Sequence, residues 1–277
     1  MQKHFLLACL IFLSTTAQAW WFNNDTSVIG NRHSQSFYAV KREMLEHIYY
    51  DHMRTLYCDA EFDVHKNIIR PHGFILPDLS RVNFKIYDIT YDELKQKASR
   101  MEWEHIVPAE NLGRNFTEWA KGHPNCHNGK NKNFKGRKCA LQESEEYRYI
   151  YTDMYNLYPS IGAVNYLRAN FNFTQFNSSE KIKNIFGSCQ MKIAHNKAEP
   201  RDEIKGLIAR TYLYMQKTYP RYHIGEPAYG IIKAWNNKYP VSRWECLRAY
   251  RIARLQGNDN MVVKPLCEAK GWYKEKL

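Results

Sequence analysis

Six cysteines limit what this chain can fold into more than any other feature: Cys58, Cys126, Cys139, Cys189, Cys246 and Cys267. A seventh, Cys9, lies in a segment that reads as an export signal. Lys3 and His4 open it, Phe5 to Leu13 run apolar, and Ala17-Gln18-Ala19 makes a small-residue cleavage signature before Trp20. That apolar run is far shorter than the about 20 residues a membrane span needs, and Cys9 sits too early in it for lipid attachment. Removal of residues 1–19 is therefore expected, leaving one soluble domain over residues 20–277 with no membrane anchor. An even cysteine count in an exported protein points to three disulfides. No C-x-x-C pair or Cys/His cluster carries zinc-ligand spacing. Cys126–Cys139 and Cys246–Cys267 would close local loops and leave Cys58–Cys189 as a long-range staple, although six cysteines permit many other pairings. Each bridge would stabilise the fold by on the order of 2–4 kcal/mol, acting on the unfolded chain.

Lys and Arg number 40 against 28 Asp and Glu, a formal charge of +12 that loses one unit with Lys3. Such a surplus suits a polyanionic partner, nucleic acid or an anionic surface, though it also serves plain solubility. A hydrophobic content of 44% is ample for a packed core. Nothing repeats, and no Pro/Ser/Gly-rich linker divides the chain. A helical pattern runs from about Ser34 to Tyr57, and residues 66–90 read as short strands and turns. Trp103 to Val107 reads as a strand stopped by Pro108, and Asn111 to Glu146 as a long polar loop. Helices are expected from Pro200 through Met215, over Ala228 to Lys238, and over Ser242 to Gln256 with Gly257 as C-cap. The sum is a helix-rich α+β single domain with a small strand region near its middle.

Two segments carry residues suited to chemistry. In Arg100-Met-Glu-Trp-Glu-His-Ile-Val-Pro108 a strand would set Glu102 and Glu104 on one face and His105 on the other. Further on, Ser160 can cap a helix starting at Ile161, Asn165 and Arg168 share a face of that helix, and Asn156 precedes it in a loop where an amide can tie backbone groups together. Taken singly, each segment is also what an ordinary surface histidine or a capped amphipathic helix looks like.

Together, Trp103-Glu-His-Ile-Val-Pro-Ala109 and the run from Asp153 through Asn156, Pro159-Ser160, Asn165 and Arg168 to Asn170 resemble the bacterial endonuclease I family of periplasmic and secreted DNases. The resemblance continues through Gly187-Ser-Cys-Gln-Met191, Ile208 to Met215, Ala234-Trp-Asn236, Tyr239 to Cys246 and Arg251 to Asn258. It implies a ββα-metal fold related to the His-Asn-His nucleases. On that resemblance His105 is the general base for the attacking water, and Glu104 and Asn165 are the protein ligands of one Mg²⁺, or another divalent cation, whose remaining positions hold water. Asn156 would brace the loop that carries the base. Glu102 mimics a ligand by sequence, but the family places that role on the residue directly before the histidine.

Between the two segments, Lys130, Lys132, Lys135, Arg137 and Lys138 crowd a loop that a Cys126–Cys139 bridge would hold. This reads as a phosphate-binding arm, with Arg137 near the position of the family's transition-state arginine and Arg168 also expected at the nucleic-acid interface. A solvated charge run is the competing reading. Tyr155 stands where the family often has His, and Ala163 where it often has an acidic residue; both changes are expected near the site. A family C-x-C is reduced to Cys58 alone.

The implied activity is hydrolysis of DNA, double- or single-stranded and largely regardless of sequence, by a periplasmic or secreted monomer. It leaves 5′-phosphate ends, and RNA stays open as a second substrate. A catalytically inactive exported nucleic-acid-binding protein is the alternative, and a basic protein binding anionic envelope polymers a third.

Overall fold

The structure, a computed structural model, describes residues 30–78, 88–130 and 132–275. The expected export signal, residues 1–19, lies outside them. Helix α1 (Phe37–Glu43) is capped by the Ser36 side chain and runs on as a π-helical turn over Met44–Ile48. The helix expected to reach Tyr57 ends there. Tyr49 is drawn into the core, where its hydroxyl accepts a 2.8 Å hydrogen bond from Arg248, and the following chain bends until the Leu56 N–H reaches the Pro159 carbonyl.

Strands β1 (Glu61–Phe62) and β2 (Ile68–Ile69) form a short antiparallel pair. Helix α2 (Tyr91–Ala98) starts at a capping box in which Thr90 and Glu93 exchange side-chain-to-backbone bonds. Strand β3 (Met101–His105) follows, then the short helices α3 (Ala109–Gly113), α4 (Thr117–Ala120), α5 (Arg137–Glu143) and α6 (Glu145–Tyr151). The stretch expected as a loop from Asn111 to Glu146 therefore carries short helices toward both ends, while its middle, from Lys121 to Gly136, has no helix among the described residues. Helices this short show too little of one face for periodicity to register, and their buried residues, such as Leu112, Ala140 and Ile150, are outnumbered by polar ones.

A turn of 3₁₀ helix (Met154–Asn156) leads into β4 (Leu157–Ile161), which pairs antiparallel with β3, Glu102 opposite Ser160 and Glu104 opposite Tyr158. Helix α7 (Gly162–Arg168) begins at once. Ser160 and Ile161 thus belong to the strand and not to the helix start expected of them. Pairing with Glu102 and Met101 claims both residues, and Ile161 caps α7 without a side-chain bond. The product is a ββα unit whose helix lies against the face of β3 that carries Glu102 and Glu104.

Strands β5 (Asn172–Phe173), β6 (Lys192–Ala194) and β7 (Lys197–Glu199) form a small mixed sheet in the order β5-β7-β6. The scaffold is completed by α8 (Asp202–Thr218), α9 (Glu226–Lys238), α10 (Arg243–Gln256) and α11 (Lys264–Glu268). Ser242 caps α10 through the Glu245 N–H, and Gly257 ends it at φ 85°, a left-handed conformation that costs glycine least. The fold is α+β. Its disulfides join Cys58 to Cys189, Cys126 to Cys139 and Cys246 to Cys267.

Arg248 of α10 fastens this scaffold to the ββα unit. Fully inside the protein, it donates to the Tyr49 and Tyr158 hydroxyls and to the Met154 and Leu157 carbonyls, at 2.6 to 2.9 Å. Its guanidinium lies 3.7 Å from the centre of the Tyr158 ring. Replacing it with Met keeps the length but strands several buried acceptors, each costing about 1–3 kcal/mol. Arg248→Met is expected to lower unfolding free energy by about 3 kcal/mol or more, read from urea denaturation with the disulfides intact; an unchanged midpoint would contradict this anchoring role.

Candidate active site

The face shared by Glu102 and Glu104 meets α7 residue by residue. One helical turn separates Asn165 from Arg168, matching the two-residue step along β3. The Asn165 Nδ2 lies 3.2 Å from Glu102 Oε2, and Arg168 Nη1 lies 2.9 Å from Glu104 Oε1. Both carboxylates, Asn165, His105 and Arg137 line one cavity of about 580 Å³.

Glu104 is only 3% exposed. Both of its hydrogen bonds fall on Oε1, from Arg168 and from the Tyr57 hydroxyl at 2.6 Å, so among the described residues Oε2 has no partner. Burial pushes its carboxyl above the ordinary value, while Arg168 and Tyr57 pull it back. Asn165 is half-buried, and among the described residues its one side-chain hydrogen bond uses the nitrogen, leaving Oδ1 unclaimed. These two unclaimed oxygens are hard donors suited to a divalent cation such as Mg²⁺. Among the described residues no group of three or more His, Cys, Asp and Glu is placed to hold a metal, so a cation here would keep much of its water.

His105, at the end of β3, sits beside the rings of Phe37 and Tyr151, with ring centres 5.5 and 4.5 Å away. Its Nε2 lies 2.9 Å from the Tyr151 carbonyl. A carbonyl only accepts, so Nε2 carries the proton and Nδ1 holds the basic lone pair. Burial pushes the imidazole down to about 4, helped by the charges of Arg137 and Arg168 and opposed by the bond to Tyr151. The ring is neutral, and hence a base, at any pH well above that value.

Asn156 is fully buried and grips Val107 at both ends, accepting from its N–H at 2.8 Å and donating to its carbonyl at 3.0 Å. This is the loop directly after His105. Arg137 opens α5 and is placed by Gly136, whose φ of 80° favours glycine and whose N–H binds the Trp119 carbonyl. The arm before it is folded back on itself. His127 bridges Asn133, the Asn128 side chain accepts from the Lys130 and Lys132 N–H groups, and Cys126–Cys139 ties the base. Lys130, Lys132, Lys135 and Lys138 are exposed along it, and none of them lines the cavity.

Three expectations are corrected. Arg168 was expected at the nucleic-acid interface; it is completely buried, held by Glu104, the His105 and Ile106 carbonyls and the Phe173 ring, and cannot reach an external phosphate. Tyr155 and Ala163 were expected near the site; both are buried in the core instead, Tyr155 donating to the Ala249 and Asn258 carbonyls, and neither lines the cavity. Sequence reasoning missed Tyr57, whose bond to Glu104 spans 47 positions and leaves no local signal. It set Glu102 aside, although strand alternation already placed that residue beside Glu104.

An open imidazole nitrogen near unclaimed oxygens suits drawing a proton from water, and a guanidinium in the same cavity beside exposed lysines suits an anionic ester. The class this defines is a hydrolase for such esters. Comparison with known proteins narrows it: the sequence profile of the family described as Endonuclease I matches residues 36–266, and the chain belongs to that family. It is 33% identical over 242 residues to an extracellular deoxyribonuclease of Aeromonas hydrophila, covering 85% of this chain and 92% of that protein. A periplasmic deoxyribonuclease of the same organism is 32% identical over 85% of this chain and 88% of its own length. Endonuclease-1 of Buchnera aphidicola subsp. Acyrthosiphon pisum (strain APS) is 32% identical over 90% and 88%.

Two measurements check this geometry. The His105 ring resonances of metal-free protein should titrate near pH 4, below the usual about 6.5. The sign of the linkage follows: below pH 6.5 the unfolded chain takes up a proton that folded His105 declines, so this group's contribution to stability is lost as pH falls toward 4. A titration at 6.5 or above would contradict the enclosure by Phe37 and Tyr151. Arg168→Met should leave Glu104 buried without its partner and cost about 3–5 kcal/mol of stability. Unchanged stability with weakened polyanion binding would return Arg168 to the surface.

Proposed function

We propose that this chain is an endonuclease that hydrolyses phosphodiester bonds of DNA, with a divalent cation, Mg²⁺ in the first instance, held by Glu104 and Asn165. The observation that carries the reading is the convergence of the unprotonated Nδ1 of His105, the unclaimed oxygens of Glu104 and Asn165, and Arg137 on one cavity. The deoxyribonuclease names of the relatives support DNA as the substrate, and members of the family are generally metal-dependent.

In the reaction, His105 Nδ1 takes a proton from a water as its oxygen attacks phosphorus. The bond from phosphorus to the 3′ oxygen breaks, that oxygen takes a proton from solvent water, and the products carry a 5′-phosphate and a 3′-hydroxyl; His105 then returns its proton to solvent. Arg137 donates to the phosphoryl oxygens, where negative charge grows in the transition state. Asn156 keeps the base in place by fixing the loop after it. When bound, the cation supplies Lewis-acid stabilisation of the phosphoryl and leaving oxygens. Lysines 130, 132, 135 and 138 bind backbone phosphate, which carries no sequence information. Cleavage is accordingly largely sequence-nonspecific on double or single strands, by a monomer, and RNA presents the same diester. Relatives named extracellular and periplasmic, with the leader-like residues 1–19, support export to the periplasm or medium. No helix among the described residues is long and apolar enough to cross a membrane.

The test is nicking of supercoiled plasmid in Mg²⁺ by the mature protein. EDTA is expected to abolish nicking, and His105→Ala to slow it roughly 10²–10⁴-fold, the contribution of a general base. Nicking indifferent to both changes overturns the reading, and a gel shift without nicking favours an inactive binding protein.

A further inference from the structure

The amide of Asn165 offers a cavity either an oxygen or a nitrogen, two atoms alike in size and opposite in use. Only the oxygen can face a cation. The side chain bonded to Asn165 is Glu102, which lines the same cavity and is not needed as a base or phosphate ligand. We infer that Glu102 is a positioning residue that sets which atom Asn165 presents, an inference resting on the reading of Asn165 as a cation donor.

The argument is one of hydrogen-bond polarity. An ionised carboxylate only accepts, so Glu102 Oε2, 3.2 Å from Asn165, draws the amide nitrogen and leaves Oδ1 for the cavity. Its other oxygen is occupied: Lys97 Nζ lies 2.9 Å from Oε1. Lys97 lies in the last turn of α2, Glu102 on β3 and Asn165 on α7, so the chain of contacts crosses three elements. Their close approach depends on Gly162, where a Cβ would come within 2.6 Å of the Lys97 carbonyl and 2.9 Å of Glu102 Oε1. In the neighbouring pair the helix residue is again the donor and the carboxylate the acceptor. Glu104 meets a donor-only guanidinium that claims Oε1 and leaves its other oxygen unclaimed. Each helix residue is thus matched to a carboxylate in the way that leaves one oxygen per pair without a partner among the described residues.

The experiment is a Mn²⁺ titration of metal-free protein followed by the EPR signal of the unbound ion, across wild type, Glu102→Gln, Asn165→Asp, the double variant and Glu104→Gln, each checked for folding by circular dichroism. A glutamine at 102 can donate toward Asn165 and turn its amide, so Glu102→Gln should weaken Mn²⁺ binding roughly 10- to 100-fold, as loss of such supporting partners does. In Asn165→Asp both atoms are oxygens and no choice remains, so adding Glu102→Gln there should cost nothing or tighten binding. An equal loss in both backgrounds means that Glu102 acts by its charge or as a ligand, and overturns the orienting role. If Glu104→Gln binds Mn²⁺ as wild type does, the cation site itself is misplaced and the role of Glu102 falls with it. That outcome is distinct from equal losses at an otherwise intact site.

Discussion

One buried guanidinium holds the site to its scaffold. Arg168, at the end of α7, reaches the first oxygen of Glu104, the carbonyl of His105 and the carbonyl of Ile106, and lies 4.5 Å from the centre of the Phe173 ring. Those contacts fix the helix against the strand at the point where the proposed base and the proposed cation ligand sit side by side. Burying two charges is expensive and repaid only when the geometry is good and other partners help. Here the Tyr57 hydroxyl and the two carbonyls supply that help. The pair stabilises an arrangement in which one oxygen of Glu104 is saturated and the other is left for chemistry.

Similar charged anchors recur through the core. Arg210 of α8 makes two bonds of 2.6 and 2.7 Å to Glu245 of α10. Lys205 joins Glu199 to Asp202, and Arg248 collects two hydroxyls and two carbonyls beneath β4. Apolar contacts alone tolerate sliding, whereas each of these groups has one satisfactory register. For a fold whose central strand pair is only five residues long, such register-setting compensates for the small sheet. The disulfides act elsewhere, at the arm, at the join of α10 and α11, and between Cys58 and Cys189, so that cross-links and buried charges divide the chain between them.

What could be read beforehand follows the same division. Helix α10 was legible because Ser242 and Gly257 are local signals; β3 was legible as a strand, but it spans Met101–His105 where Trp103–Val107 was expected, ending two residues short of Val107. The pairing of Asn165 with the β3 carboxylates was reachable only through family likeness, since no local rule joins positions 63 apart. Arg168 was misplaced for a physical reason: an arginine in a basic chain is exposed by default, and its burial is set by Glu104, Tyr57 and Phe173, which come from three other segments. Tyr155 and Ala163 misled in the same way. Asn165, two positions from Ala163, lines the cavity, but helical geometry turns such side chains to different faces, and Asn156 beside Tyr155 is itself buried outside the cavity lining. The short helices between Ala109 and Tyr151 stayed hidden because each buries only a few residues.

The basic arm raises a different question, how exposed lysines would serve a proposed site they do not line. Lys130, Lys132, Lys135 and Lys138 supply charge without specificity, which suits a partner met as a string of phosphates. Arg137 alone enters the cavity, and its placement is mechanical. Gly113 has no Cβ, and one there would come within 2.1 Å of the Trp119 ring; the absence lets that indole settle on α3. The Trp119 carbonyl then receives the Gly136 N–H, one residue before Arg137. Helix α3 follows directly from the loop that Asn156 grips. Base and guanidinium are therefore positioned from one continuous set of contacts, Asn156 to Val107 to α3 to Trp119 to Gly136. The lysines lie beyond its end, outside the cavity lining.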